Sequence, residues 1–424
     1  MNNNPNQPKE YDAVLGGQAP PPVQGAVLGG IEGVKRRLAS PIIEARIAAL
    51  SEALKYADAG LELAIAALKE PEKQVRRSAY LLLREREETQ VKEALREYKT
   101  WNLIERLDIN GYPRRATTFA NRKVEEFDSE IGITDPSSTA YALRVAKWNA
   151  PQDIDITHYL AKLLQDDRAS LVEALVFGVW DEYMNLMNEN SSAILVDALV
   201  AAKEQLPNLK AVFIGDINSE ECEISWFYQS DISPVLAAYP NLEILQVRGG
   251  NGLAFSFVQH ENLTAMIVET GGLSRETIAQ ISALKLPALE HLELWLGCCD
   301  YGGDSSIEDL MPILDNQSFP NLTYLGLRNS EYSDEIAKAL VNAPVLEQIM
   351  VLDLSMGTLT DEGALALLNC PAINQLDLLN VSENYLSDEM IQRLSELDVE
   401  VRANNQKQEE DYDDEIYRYC SVAE

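Results

Sequence analysis

Histidine is scarce in this 424-residue sequence: only His158, His260 and His291 occur. Cysteine is scarce too. Cys222, Cys298, Cys299, Cys370 and Cys420 are odd in number and show no CxxC spacing, which excludes a disulfide framework and the common paired-thiol sites. HExxH, GxSxG and phosphate-binding glycine loops are absent, so enzymes built on those motifs are excluded. No apolar run approaches the roughly 18 residues that a membrane-spanning helix needs. The opening residues, MNNNPNQPKEYDAV, lack the basic and then apolar stretch of a secretory signal. Together these absences predict a protein of the reducing cytoplasm.

Positive charge is also in short supply. The chain has 35 Lys and Arg against 68 Asp and Glu, a formal net charge of −33. The deficit is uneven. Residues 1–105 carry fifteen acids and fifteen bases, so residues 106–424 hold the whole excess. So acidic a module repels phosphate backbones, and no nucleic-acid partner is expected. A basic protein partner is easier to accommodate, although the excess also serves simple solubility. No membrane, cofactor, metal or small-molecule partner is expected.

What is present is repetition. Residues 1–30 are an arm rich in proline and glycine: AVLGG occurs at 13–17 and again at 26–30, around Pro20-Pro21-Pro22. Glycine pairs and a triple proline forbid a continuous helix, so the arm is read as extended or disordered. Then 38-LASPIIEARIAAL-50 and 68-LKEPEKQVRRSAY-80 match at an offset of thirty residues, through Leu38/Leu68, Pro41/Pro71, Arg46/Arg76 and Ala49/Ala79. Proline suits a helix start, where its missing N–H costs nothing. Apolar residues follow at helical spacing, as in Val75, Ala79 and Leu82. Stacked helical hairpins follow from that period, with a last helix over 89–107. Residues 31–107 thus resemble a short HEAT-type repeat module. With the arm, residues 13–107 are similar to a small bacterial helical module found beside many unrelated domains, which implies docking or scaffolding.

Residues 108–150 change character. The stretches 122–128 and 140–148 read as strands around the turn Asp135-Pro136-Ser137-Ser138. A solenoid needs its first repeat covered, and this β-rich junction is the expected cover. Over 151–403 one motif, L-x-x-L-x-L, recurs at 172–177, 209–214, 242–247, 263–268, 289–294 and 322–327. It recurs with a less certain frame at 349–354 and 376–381. Between these come helices at 333–344, 360–371 and 387–398. Each opens on Ser or Thr, which can cap free N–H groups, followed by Asp-Glu, which suits the helix dipole. This is the pattern of an α/β leucine-rich-repeat solenoid, with parallel strands on a concave face and helices on the convex face. The repeats resemble the ribonuclease-inhibitor type. Residues 120–424 further resemble a bacterial leucine-rich-repeat family. That resemblance is carried by 215-GDINSEECEISW-226, 246-QVRGG-250, 268-VETGGL-273, 287-PALEHLELWLG-297, Asp300 to Asp304 and 417-YRYCSVAE-424. It implies the fold and no particular activity.

In each motif the first, fourth and sixth residues point into the core, and the third, fifth and seventh point out of the sheet. The middle repeats then present Arg248, Glu269, His291, Glu293, Trp295, Tyr324, Arg328 and Asp353 side by side. Tryptophan, tyrosine and arginine are enriched at binding hot spots, so these are the expected partner-binding residues. The plainer alternative is a cross-strand charge ladder, Arg248 against Glu269. A rim of strand-end loops is the second candidate, with Asp216, Glu221, Cys222, Trp226, Asp300 and Asp304. Trp226 and Phe227 are also candidates for covering the core. Zinc held by Cys222, His260, Cys298 and Cys299 would require strand ends about 14 Å apart to fold together, and acidic loops such as 216–223 are usually just solvated. No catalytic residue is assigned. The tail, 404–415, is polar and acidic and is expected to be disordered, while 416–424 could dock on the last repeat or add a strand. The functional expectation is a protein–protein interaction scaffold. The competing expectation is an accessory or enzyme component of a bacterial modification system using the strand-end loops.

Overall fold

In the computed structural model the described residues are 30–424, apart from 71, 84–85, 87, 92–93, 95–105, 107–110, 112–113, 146–153, 190, 317 and 413–414. The expected arm, Pro71 and most of the helix expected over 89–107 lie outside them. The chain forms two compact units, Met1–Thr100 and Trp101–Glu424.

The described part of the first unit is helical: α1 (Ile31–Leu38), α2 (Ile43–Ala53), α3 (Ala57–Ala67) and α4 (Lys73–Leu83). Two residues matched at the thirty-residue offset lie in its interior. Ala49 and Ala79 are both fully buried, and their small side chains let helices approach closely. The matched arginines converge as well: Arg46 pairs with Glu70, and Arg76 Nη1 donates to the Glu70 carbonyl at 2.6 Å. Leu50, Leu61, Val75 and Leu83 share one apolar cluster.

The second unit is built on a twelve-stranded sheet whose order follows the chain. Its strands are β1 (Thr118–Phe119), β2 (Arg122–Glu126), β3 (Thr139–Leu143), β4 (Ala174–Phe177), β5 (Ala211–Ile214), β6 (Ile244–Arg248), β7 (Ala265–Glu269), β8 (His291–Gly297), β9 (Tyr324–Ser330), β10 (Val351–Asp353), β11 (Leu378–Asn380) and β12 (Glu400–Arg402). Only β1 against β2 is antiparallel; the successive pairs from β2 to β12 are parallel. The third motif residues pair directly along the sheet, from Ala174 with Ala211 to Val351 with Leu378. The frames read at 349 and 376 therefore hold. The β-rich junction supplies β1, β2 and β3, which extend the sheet. β12 extends it at the other end without the leucine motif.

Among the described residues the α-helices of the second unit lie against one face. Residues such as Leu199, Ile278, Ile313, Leu340 and Leu367 share a core with the inward-pointing residues of the motif, among them Val212, Leu245, Met266, Leu292 and Leu325. That is the α/β leucine-rich-repeat arrangement the spacing predicts. Caps are as expected at Thr360, whose hydroxyl accepts the Glu362 N–H, and at Ser387, which accepts that of Met390. Ser333 is different. It is the first helical residue, and its hydroxyl donates to the Ser330 carbonyl and accepts the Thr358 N–H. The tail also departs from expectation. Residues Glu410–Tyr412 (β13) and Glu415–Tyr417 (β14) pair as an antiparallel hairpin. Beyond it the chain docks first on the last repeat, where the Tyr419 N–H donates to the Tyr385 hydroxyl at 2.8 Å, and then on the middle repeats, where Val422 is buried.

Candidate functional site

The eight residues expected on a partner surface do lie side by side on the helix-free face. Register pairs Arg248 with Glu269, His291 with Tyr324 and Trp295 with Arg328. They are not exposed. None of the eight exceeds 4% relative exposure, and Glu269, Glu293, Trp295, Arg328 and Asp353 are at 0%. The predicted open surface is thereby corrected. Alternation fixes which side of a sheet a residue takes, but it says nothing about what covers that side.

Two segments of the chain cover it. The first includes Arg106 and Arg114–Ala116. Arg106, read from sequence as part of the last helix of the helical module, belongs to the second unit. Its Nη2 lies 2.6 Å from Glu269 Oε1 and 2.6 Å from Glu293 Oε1. The second segment is the chain's end, where Val422 is buried with Ile224, Trp295 and Met356.

Under this cover opposite charges alternate along a chain of ion pairs. Arg144, after β3, pairs with Asp216, after β5. Asp216 Oδ1 is 3.6 Å from Arg248 Nη1, and Arg248 Nε donates to Glu269 Oε2 at 2.7 Å. Arg106 joins Glu269 to Glu293. Arg328 Nη1 donates to Glu293 Oε1 at 3.0 Å, and its Nε is 3.7 Å from Asp353 Oδ1. Four arginines thus meet four carboxylates, and the buried chain is formally neutral. Trp295 Nε1 donates to Glu293 Oε1 at 2.7 Å, and the Arg328 guanidinium sits 5.5 Å from the Trp295 ring centroid. Burial would push the Glu293 carboxyl up, but Arg106 and Arg328 outweigh it and hold the group well below the usual carboxylate range. Glu269 is likewise held low against its burial, by Arg248 and Arg106. Such a chain offsets the large cost of burying each ion, and removal of one member leaves its partners uncompensated.

His291 has a different character. Its ring stacks on Tyr324 with centroids 3.8 Å apart, and Tyr324 donates its hydroxyl proton to Asp353 Oδ2 at 3.0 Å. Neither His291 ring nitrogen has a hydrogen-bond partner, although Nε2 comes within 3.4 Å of Glu293. Burial lowers its pKa against the opposing effect of Glu293.

The rim residues divide into two groups. Asp216 is fully buried and accepts the Ala116 N–H at 2.9 Å in addition to its arginine pairs. Glu221 is buried and pairs with Arg115. Cys222 lies in the main core. For these three, the expected exposed rim is corrected: the covering segment 114–116 and the core take them in. Trp226, Asp300 and Asp304 are exposed, Trp226 at 44%. Asp304 pairs with Arg275. The expected core cover is Phe227 alone, which is fully buried and packs edge-on against Trp180. Ser230 bonds the Ser192 hydroxyl, and Asp231 accepts the Ser233 N–H. The residues weighed for zinc do not converge. His260 uses Nδ1 to accept the Leu263 N–H and Nε2 to bond the Tyr239 carbonyl. Among the described residues no cluster of three or more His, Cys, Asp or Glu could hold a metal ion.

The fold is shared with a solved protein of Bacteroides fragilis. It is 31% identical, with a TM-score of 0.59, over 63% of this chain and 74% of that one. The chain belongs to the family of that protein. An internalin of Listeria monocytogenes is a more distant likeness: 15% identity, a TM-score of 0.32, and coverage of 62% of this chain and 60% of the internalin. No protein-family model and no curated protein matches the chain.

Sequence reasoning missed Arg106, Arg144 and Asn329. One signal was available for Arg106. The middle strands carry Glu269, Glu293 and Asp353 against only Arg248 and Arg328 on an otherwise apolar face. A third cation had to come from elsewhere in the chain.

Proposed function

We propose that this protein is a cytoplasmic, non-enzymatic interaction scaffold. The leucine-rich-repeat unit recognises a protein partner at the strand-end rim, and the HEAT-like helical unit is a docking module. The observation that carries this reading is Trp226. It stands 44% exposed at the rim, while the neighbouring charged and aromatic side chains are consumed internally. A large exposed aromatic residue at the edge of a well-packed surface is a hot-spot arrangement. The acids Asp300 and Asp304 on the same rim, within a stretch, residues 106–424, that carries the whole −33, favour a basic partner. The described cysteines are all free thiols, as a reducing compartment requires. No helix among the described residues is long and apolar enough to cross a membrane. The remaining predicted partner residues, Trp295 and Arg328 among them, reach a partner only if their cover moves. Affinity capture with cross-linking tests the reading. The full chain should hold a partner cross-linked to residues 217–231 or 298–306, and Trp226→Ala should stay folded and lose it. Capture that is unchanged by Trp226→Ala and by Asp300→Lys would overturn it.

A further inference from the structure

The end of the chain lies in a groove built for a polypeptide. The Asn329 side chain, fully buried, bonds both backbone groups of one residue. Its Oδ1 accepts the Val422 N–H at 2.9 Å, and its Nδ2 donates to the Val422 carbonyl at 2.5 Å. Met356 accepts the Ser421 N–H at 2.9 Å through its carbonyl, and the Ser225 hydroxyl donates to the Ala423 carbonyl at 2.6 Å. The segment is thus held chiefly through backbone groups, which any sequence offers. Selectivity comes from two features. The Val422 side chain is fully buried against Ile224, Trp295 and Met356, in a space sized for a small branched residue. Gly271 is the floor beneath Ala423, and a Cβ there would lie 1.9 Å from the Ala423 carbonyl oxygen. The approach that residues 421–423 make therefore requires glycine.

The chain is a compromised ligand for its own groove. The Tyr301 hydroxyl bonds Glu424 at 3.2 Å, whereas Glu223 Oε2 is buried without a hydrogen-bond partner; burial, and after it the Glu424 charge, raises the Glu223 pKa. Two carboxylates therefore compete at this end. The approach to the groove exposes the side chains of Ile416 and Tyr419, at 60% and 53%, and is itself held through the Tyr419 backbone, whose N–H donates to the Tyr385 hydroxyl at 2.8 Å.

We propose that this groove is a peptide-recognition site, filled in cis by residues 421–424, which takes an extended segment of a partner protein. That segment presents a small β-branched residue, then a small residue, then a neutral or basic one in the place of Glu424. A second copy of this chain is disfavoured as the donor, because two chains of −33 repel. The proposal rests on the reading of the protein as an interaction scaffold and names the partner's chemistry. Displacement of the chain's end would also uncover Trp295.

The test uses the full chain with a protease site placed between Tyr412 and Glu415. After cleavage, binding of a fluorescent peptide of residues 415–424 is followed by anisotropy. The cut protein should take up the peptide saturably, and the uncut protein about tenfold more weakly or worse. Glu424→Lys in the peptide should tighten binding several-fold, and Val422→Asp should weaken it about tenfold or more. No uptake by a cut protein that stays folded, or uptake insensitive to Val422→Asp, overturns the proposal. If cleavage unfolds the protein, the uncut Val422→Asp chain replaces it. This variant must capture the native peptide where the unaltered chain does not, and failure there also overturns the proposal. Exchange only between copies of the chain, with no preference for Lys over Glu, overturns the choice of partner. Loss of partner capture by Trp226→Ala with no peptide uptake would leave the rim reading standing and remove only the groove.

Discussion

The helix-free face of the sheet is closed in two ways. Over β3 to β5 it is apolar within the strands, and ions enter only past the strand ends, at Arg144 and Asp216. Ala140, Ala142, Ala174, Val176, Ala211 and Phe213 pack under Phe119 and Ala120 at β1. Small side chains leave room for the Phe119 ring to tilt against Phe213, with centroids 5.8 Å apart. Over β6 to β10 the same face carries ions, and it is closed by Arg106 and by the chain's last residues. Both halves exclude water. The apolar half needs only shape from its cover, because the hydrophobic effect is non-directional. The charged half needs one particular cation at one place, because a buried carboxylate is tolerated only when paired.

That contrast can be broken at either end. Glu293→Ala should have the largest effect. It leaves Arg106 and Arg328 buried without their shared carboxylate, and urea denaturation should show a loss of about 3–5 kcal/mol. Phe119→Ala should cost about 3 kcal/mol by the same measurement, as a cavity beside Phe213. Acid separates the two. Glu269 and Glu293 ionise more easily in the folded chain than at their ordinary value of 4.5. Their stabilisation is therefore fully present above about pH 4.5 and is lost as pH falls through their lowered folded values. The Glu293→Ala penalty should accordingly shrink between pH 5 and about pH 2, while the Phe119→Ala penalty should stay constant. Denaturation curves at both pH values check this, and a Phe119→Ala penalty that also shrinks would break the comparison. Smallest is Trp226→Ala. With its side chain outside both closures, it should change stability by less than about 0.5 kcal/mol.

Much of the architecture was legible in advance. Strands, their frames, the parallel order and the side of the sheet taken by each residue all follow from the leucine period, down to the pairing of His291 with Tyr324. The cap at Ser387 was legible because it is local: the hydroxyl accepts an N–H three residues away. Ser333 matched the same pattern and took other partners, since Ser330 and Thr358 were within reach. The candidate surface was legible as a set of neighbours and illegible as an environment. Trp295 was correctly placed beside Arg328, yet Val422 lies over it.

The sequence by itself determined the repeat, the sheet and the composition of each face, because these depend on contacts between residues spaced by a short, regular period. The tertiary structure alone decided what became of the second face. Arg106 meets Glu293 across 187 residues, and Asn329 meets Val422 across 93. Contacts at such separations leave no periodic trace in the chain. They are selected by charge balance and shape once the sheet exists, and they turned an apparent binding surface into an interior.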